Sequence, residues 1–132
     1  MAKRLNISSG APPEERMGYS RAVRVGDTVH VAGTTSIDAD GDIQAKGDMY
    51  GQCVIALDKI ERALEQAGAT MADVVRTRTF VTDMTLAEGF SRAHKERFDA
   101  VRPASSLIGT TALAHPDMLV EIEVDAIAGA GG

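Results

Sequence analysis

The apolar positions of this chain change period along its length, and each change marks an element. From Ala22 to Val31 they alternate, with Val23 and Val25 before Gly26-Asp27 and Val29 and Val31 after it. Period two places one set of side chains on one sheet face, and a Gly-Asp pair between two such runs signals a hairpin. A third strand near residues 34–37 and a short return near Ile43 flank Asp38-Ala39-Asp40-Gly41-Asp42, a composition suited to a tight turn. Between residues 48 and 68 the period lengthens. Cys53, Leu57, Ile60, Leu64 and Ala67 recur at helical spacing with Lys59, Glu61, Arg62 and Glu65 off the stripe, and Gly68 is placed to end the helix in a left-handed conformation. Residues 73–82 are β-branched and apolar and read as a strand. Thr85-Leu86-Ala87-Glu88 has the capping-box pattern, so a second helix begins there, buries Leu86, Phe90 and Ala93, and runs to about Asp99. Arg102-Pro103 breaks it. Residues 105–113 and 119–128 are two further strands around the turn at His115-Pro116-Asp117. Residues 1–18 read as an irregular N-terminal arm, and 129–132 as a mobile tail.

The order is therefore three or four strands, helix, strand, helix, two strands. This suggests an α+β layout, one mixed or antiparallel sheet with both helices packed on one face. Val23, Val25, Val29, Val31, Val120, Ile122 and Val124 exceed what two helices can hide, so a bare apolar sheet face is expected, and with it contact between copies of the chain.

At 132 residues the chain suits a single domain spanning 1–132, and 44% hydrophobic with 25% charged residues is an ordinary globular composition. Fourteen basic against nineteen acidic residues give a net charge of −5 with no basic stripe, which argues against nucleic acid as a partner. The single cysteine, Cys53, excludes an intramolecular disulfide and fits a reducing cytoplasm. No apolar run reaches the ~18 residues of a membrane span.

Motifs of strong mechanical content are missing: there is no P-loop, G-x-G-x-x-G, G-x-S-x-G or H-E-x-x-H. His30, His94 and His115 have no partner at i+4 and read as ordinary polar positions rather than metal ligands. The aspartates at 38, 40 and 42 miss the calcium-loop pattern, because the glycine falls early and no glutamate follows in place. Cys53 lies on the apolar stripe, where a buried thiol is commoner than a nucleophile. Arg76 and Arg78 fall on one side of a strand, open to a ligand carboxylate, to solvent or to a structural ion pair. Glu121, Glu123 and Asp125 share the face opposite Val120, Ile122 and Val124; by composition that is an outer face, and it needs water or cations nearby.

Several segments together resemble one family, the reactive-intermediate deaminases also called RidA or YjgF and formerly labelled endoribonuclease L-PSP or translation initiation inhibitors. They are Gly18-Tyr19-Ser20-Arg21-Ala22, Val31-Ala32-Gly33-Thr34, Gln52 with Leu57 and Ile60, Ala67-Gly68-Ala69-Thr70, Asp73-Val74-Val75, Phe80-Val81-Thr82-Asp83-Met84, Arg102-Pro103-Ala104-Ser105-Ser106 and Val120-Glu121-Ile122-Glu123. The resemblance implies a chorismate-mutase-like α+β fold, a homotrimer whose sheets form a barrel, and small-molecule clefts between subunits. It also implies hydrolysis of an enamine or imine without metal or cofactor. Carried onto this chain it assigns water to Glu121 and cleft-lining positions to Tyr19 and to Gly33 with its neighbour Thr34. The family's deaminases carry an arginine where this chain has Ser105, and a bidentate charged pair is not replaced by a hydroxyl. Arg21 or Arg78 could supply a cation from another direction. His94 is a second departure, at a position usually polar and aromatic. The expected function is binding of a small metabolite, with imine hydrolysis or binding without turnover as the two outcomes.

Overall fold

The computed structural model describes residues 3–132. In chain order the elements are β1 Arg4–Ile7, α1 Pro12–Met17, β2 Ala22–Val25, β3 Thr28–Thr34, α2 Met49–Gln66, β4 Val74–Val81, α3 Ala87–Phe98, β5 Ala104–Gly109 and β6 Val120–Ile127. The six strands form one sheet in the order β1-β2-β3-β6-β4-β5. Neighbours are antiparallel except β4 and β5, which α3 joins as a parallel pair by a crossover. This is one mixed α+β domain with α2 and α3 on the sheet.

The hairpin turns at Gly26, whose φ of 61° is the left-handed region that glycine adopts without strain. The α2 stripe buries Cys53, Leu57, Ile60 and Leu64 completely. Gly68 at φ 81° ends it as expected, with the Ala69 N–H returning to the Leu64 carbonyl at 2.8 Å in a Schellman closure. Gln52, wholly buried in the same helix, donates to the Asp117 carbonyl at 3.0 Å and accepts from the Leu119 N–H at 2.9 Å. It thereby fixes where β6 begins.

Several expectations are corrected. Residues 3–18 are not an irregular arm, residues 1 and 2 lying outside the described residues: β1 pairs with β2 from Arg4↔Val25 to Ile7↔Ala22, and α1 follows with prolines in its first turn, where a missing N–H costs nothing. β3 ends at Thr34, and beyond it an Ile37↔Ile43 bridge stands in place of a third strand. The capping box lies at Thr70 and Asp73, not at Thr85. Thr85 instead donates to Asp83, and Leu86 is exposed in a 3₁₀ turn before α3. β5 stops at Gly109, short of Leu113. The tail is pinned, since the Gly131 N–H donates to Asp73 Oδ1 at 2.9 Å. The bare sheet face also differs from expectation. Val29, Val31, Val120, Ile122 and Val124 are all hidden beneath the helices, leaving Val23 half-buried and Val25 41% exposed on the other face. The open face is thus chiefly charged, carrying Glu121, Glu123, Asp125, Arg78 and His30 with Phe80 and Ile108 among them.

Candidate functional site

The strand register sorts the candidate residues onto two faces. Cross-strand partners share a face, so Thr77 with Ser105 lies on the helix side, while Arg78 with Glu123 and Phe80 with Glu121 lie on the open side. Tyr19, Arg21, Gly33, Thr34 and Glu121 gather at one end of β3; Ser105 and His94 meet elsewhere, under α3.

The first group is built on a bulge. The β3–β6 register slips between Val31 and Thr34, turning Gly33 toward Glu121. A Cβ on Gly33 would stand 2.6 Å from Glu121 Oε2, so the carboxyl occupies the space a side chain would fill. Buried Arg21 braces the bulge from behind: one guanidinium nitrogen donates to the Gly33 carbonyl at 2.7 Å and to Thr34 Oγ1 at 3.0 Å, and the other to the Tyr19 hydroxyl at 3.2 Å. Glu14, buried in α1, stands 3.8 Å from Arg21 and accepts from the hydroxyls of Ser8 and Ser9. Burial raises the Glu14 pKa, but the hydrogen bonds from Ser9 and Ser8 and the Arg21 charge outweigh it, so the group stays below its ordinary 4.5. Lys59 donates to the carbonyls of Thr35 and Ile37 at 2.8 and 2.9 Å, and burial, with Arg21 and Arg62 nearby, lowers its pKa to about 8.

Half-buried Glu121 is pushed above the ordinary 4.5, first by desolvation and then by Glu123, with Arg21 opposing. A carboxyl poised this way can hold and release a proton nearer neutrality than a solvated one. The remaining acids on the open face have partners. Arg78 pairs with Glu123 at 2.5 Å, the ion-pair reading of that arginine, and His30 meets Asp125 at 2.6 Å.

The second group holds no carboxylate, lysine or arginine. The Thr77 hydroxyl donates to Ser105 Oγ at 2.8 Å and lies 2.9 Å from His94 Nε2. His94 sits between Phe90 and Phe98, ring centroids 5.2 and 4.8 Å away, and desolvation lowers its pKa. A groove of about 320 Å³ runs along it, bounded by Phe90, Phe98, Arg102 and Pro103. Among the described residues no cluster of three or more His, Cys, Asp or Glu could hold a metal, and no helix is long and apolar enough to cross a membrane.

The family model described as endoribonuclease L-PSP matches residues 10–128. The chain belongs to this family, also called RidA or YjgF. A Mycobacterium tuberculosis member of the YjgF/YER057c/UK114 family has the same fold at a TM-score of 0.87 and 46% identity, covering 96% of this chain and 100% of that one. An archaeal RutC family protein from Pyrococcus abyssi is 32% identical over 93% of this chain and 95% of its own length. A 2-iminobutanoate/2-iminopropanoate deaminase of Dermatophagoides farinae is 28% identical over 93% of this chain and 95% of that protein.

Within this RidA-family chain the eight site candidates do not form one constellation. Glu121, Gly33, Thr34, Tyr19 and Arg21 come together, Arg78 is on the same face but held by Glu123, and Ser105 and His94 lie on the other. Sequence reading missed Thr77, Glu14 and Lys59. Thr77 read only as a β-branched strand residue, Lys59 as an off-stripe polar position and Glu14 as part of an irregular arm. Their roles depend on contacts 28, 24 and 7 residues away in sequence, to Ser105, Thr35 and Arg21.

Proposed function

We propose that this protein binds a small polar metabolite in clefts formed between copies of the chain and hydrolyses its C=N bond without a metal or cofactor. The observation that carries the reading is the Glu121 carboxyl, held in contact with Gly33 and raised in pKa by burial. In this reading the water oxygen attacks the imine carbon while Glu121 takes one water proton and passes it to nitrogen, giving a carbinolamine; Glu121 then carries the remaining hydroxyl proton to nitrogen as the C–N bond breaks, and a ketone and ammonia leave. The deaminase name of the Dermatophagoides farinae relative supports the substrate class.

Two features argue for a cleft between copies. Glu121 and Ser105 occupy opposite faces of one sheet, so one ligand touches both only if a second copy contributes. Val25, Ile108 and Ile127 are also exposed large apolar residues. The assembly we propose is a homotrimer in the cytoplasm, and light scattering that returned a monomer mass at micromolar concentration would remove it. The endoribonuclease name of the family model is not carried over, because a net charge of −5 with no basic stripe disfavours a phosphate backbone.

One observation favours binding without turnover: Ser105 has a hydroxyl and an imidazole beside it rather than a cation. Losing a charge-assisted contact costs about 1.5–3 kcal/mol, roughly tenfold to a hundredfold in rate if it acts in the transition state. Ammonia release from freshly generated 2-imino acids separates the readings. Wild type should turn over weakly, Ser105→Arg faster by about that factor, and Glu121→Gln in either background should abolish activity. An inactive but folded Ser105→Arg protein leaves binding without turnover as the function. Activity that survives Glu121→Gln removes Glu121 from its role.

A further inference from the structure

Proton counting defines what Ser105 offers a ligand. Two contacts link three atoms, His94 Nε2, Thr77 Oγ1 and Ser105 Oγ, and the single Thr77 proton is spent on Ser105. Thr77 then meets Nε2 as an acceptor, so the imidazole must carry a proton there, and the Ser105 proton is left over. If Nε2 is bare, the chain runs the other way: Thr77 donates to the imidazole, Ser105 donates to Thr77, and only lone pairs point outward.

We propose that His94 and Thr77 are positioning residues that turn the Ser105 hydroxyl outward as a donor, so that this subsite takes a carbonyl or carboxylate oxygen. The ligand class rests on the proposed cleft; the coupling between the three side chains does not. Phe90 and Phe98 flank the His94 ring and limit its reorientation, and a groove of about 320 Å³ opens onto the imidazole beside them, while Ser105 itself is exposed to an approaching small molecule. Because protonated His94 permits only the donor orientation, an acceptor-ended ligand is held best below the imidazole pKa and more weakly as pH rises through it.

The charged groups around His94 leave it as the titrating member of the chain. On its own helix Lys95 pairs with Asp99, which also holds Arg102 in the following turn, and Glu96 bonds Tyr50. Asp58 and Glu61 of α2 engage Arg97. Asp73, in the turn before β4, is bound by Thr70 and Gly131, and Asp83, before α3, by Thr85. On β4, Arg76 and Arg78 flank Thr77, and Arg78 is paired with Glu123. β5 contributes no titratable side chain. Lowering of the His94 pKa has desolvation as its cause.

Two arms test the proposal. Without ligand, the His94 imidazole is titrated by NMR in wild type, Thr77→Val and Ser105→Ala. Removing the Nε2 acceptor should lower the midpoint by about half a unit or more in Thr77→Val, with a smaller shift in the same direction in Ser105→Ala. Unchanged midpoints in both overturn the coupling, and Ser105→Ala, at an exposed position, keeps the test open if Thr77→Val does not fold. With ligand, pyruvate affinity is measured from pH 5.5 to 7.5 in the Glu121→Gln background, which silences the other acid of the cleft. The expected fall is roughly threefold to tenfold, flattened in Glu121→Gln/His94→Gln, where the amide donates at every pH. A slope that persists without His94, or none with it, overturns the donor assignment. Pyruvate that binds at no pH overturns the proposed cleft instead, and the His94 midpoints still decide the coupling.

Discussion

Adding one methyl group to Gly33 separates packing from chemistry at the candidate site. Its φ lies outside the left-handed region, so alanine meets no backbone strain there. The new Cβ would stand 2.6 Å from Oε2, 2.7 Å from Cδ and 3.0 Å from Cγ of Glu121. Carbon contacts settle near 3.5–4.0 Å, so the carboxyl has to retreat by about 1 Å. The retreating atoms end a flexible side chain on a face open to movement, and alanine gains about 0.4–1 kcal/mol by restricting the unfolded chain. Stability in urea should therefore change by less than about 1 kcal/mol. Function should not be spared: a displacement of about 1 Å in a reacting group costs on the order of a hundredfold. Ammonia release, or ligand affinity where turnover is too slow to follow, reads the loss, and urea melts on the same samples read the fold. Full activity in Gly33→Ala would refute the reasoning, since Glu121 would then work from a place it cannot occupy. A loss of several kcal/mol of stability would show the contact to be packing rather than poise.

Cys53, fully buried with its thiol pushed up to about 12, should be silent to a thiol reagent at pH 8 in the native protein and react once per chain in denaturant. Gln52→Leu strands the part-buried Leu119 N–H and Asp117 carbonyl, and stability in urea should fall by about 2 kcal/mol, the low end for two unpaired groups at about 1–3 kcal/mol each when fully buried. Asp73→Ala should cost about 1 kcal/mol at pH 7 as a lost cap. The Gly131 N–H leads the groups that hold its carboxyl below 3.8, so the wild-type advantage is present above the unfolded pKa and lost as pH falls through the folded one; the two denaturation curves should converge in acid.

The elements legible in the sequence are those whose signal is local. The Gly26-Asp27 hairpin and the α2 stripe each repeat a pattern within a few residues. β1 was not legible because only Ile7 of its four residues is buried, and its strand character comes from pairing with β2. α1 is six residues with no periodicity to find. The Thr85 pattern misled because Thr70 and Asp73 offer the same spacing, and the backbone that closes on them is the one preceding β4. At the site, Gly33 and Glu121 were legible through family resemblance, yet neither their contact nor the separation of Ser105 from Glu121 was. Both depend on register, and a one-residue slip exchanges the faces of a strand. The bulge at Gly33 is such a slip.

β6 joins the two halves of the sheet, with β3 on one side and β4 on the other, yet it is the last strand in the chain. During synthesis the ribosome therefore releases two unfinished fragments, a hairpin extended by β1 and a β4–β5 pair, with nothing between them. Pairing Thr28 with Ile127 closes a separation of about three quarters of the chain, a closure of the slow, non-local kind. Until residues 120–127 emerge, the open edges of β3 and β4 are exposed to other nascent chains, so the sheet cannot close before β6 has been made.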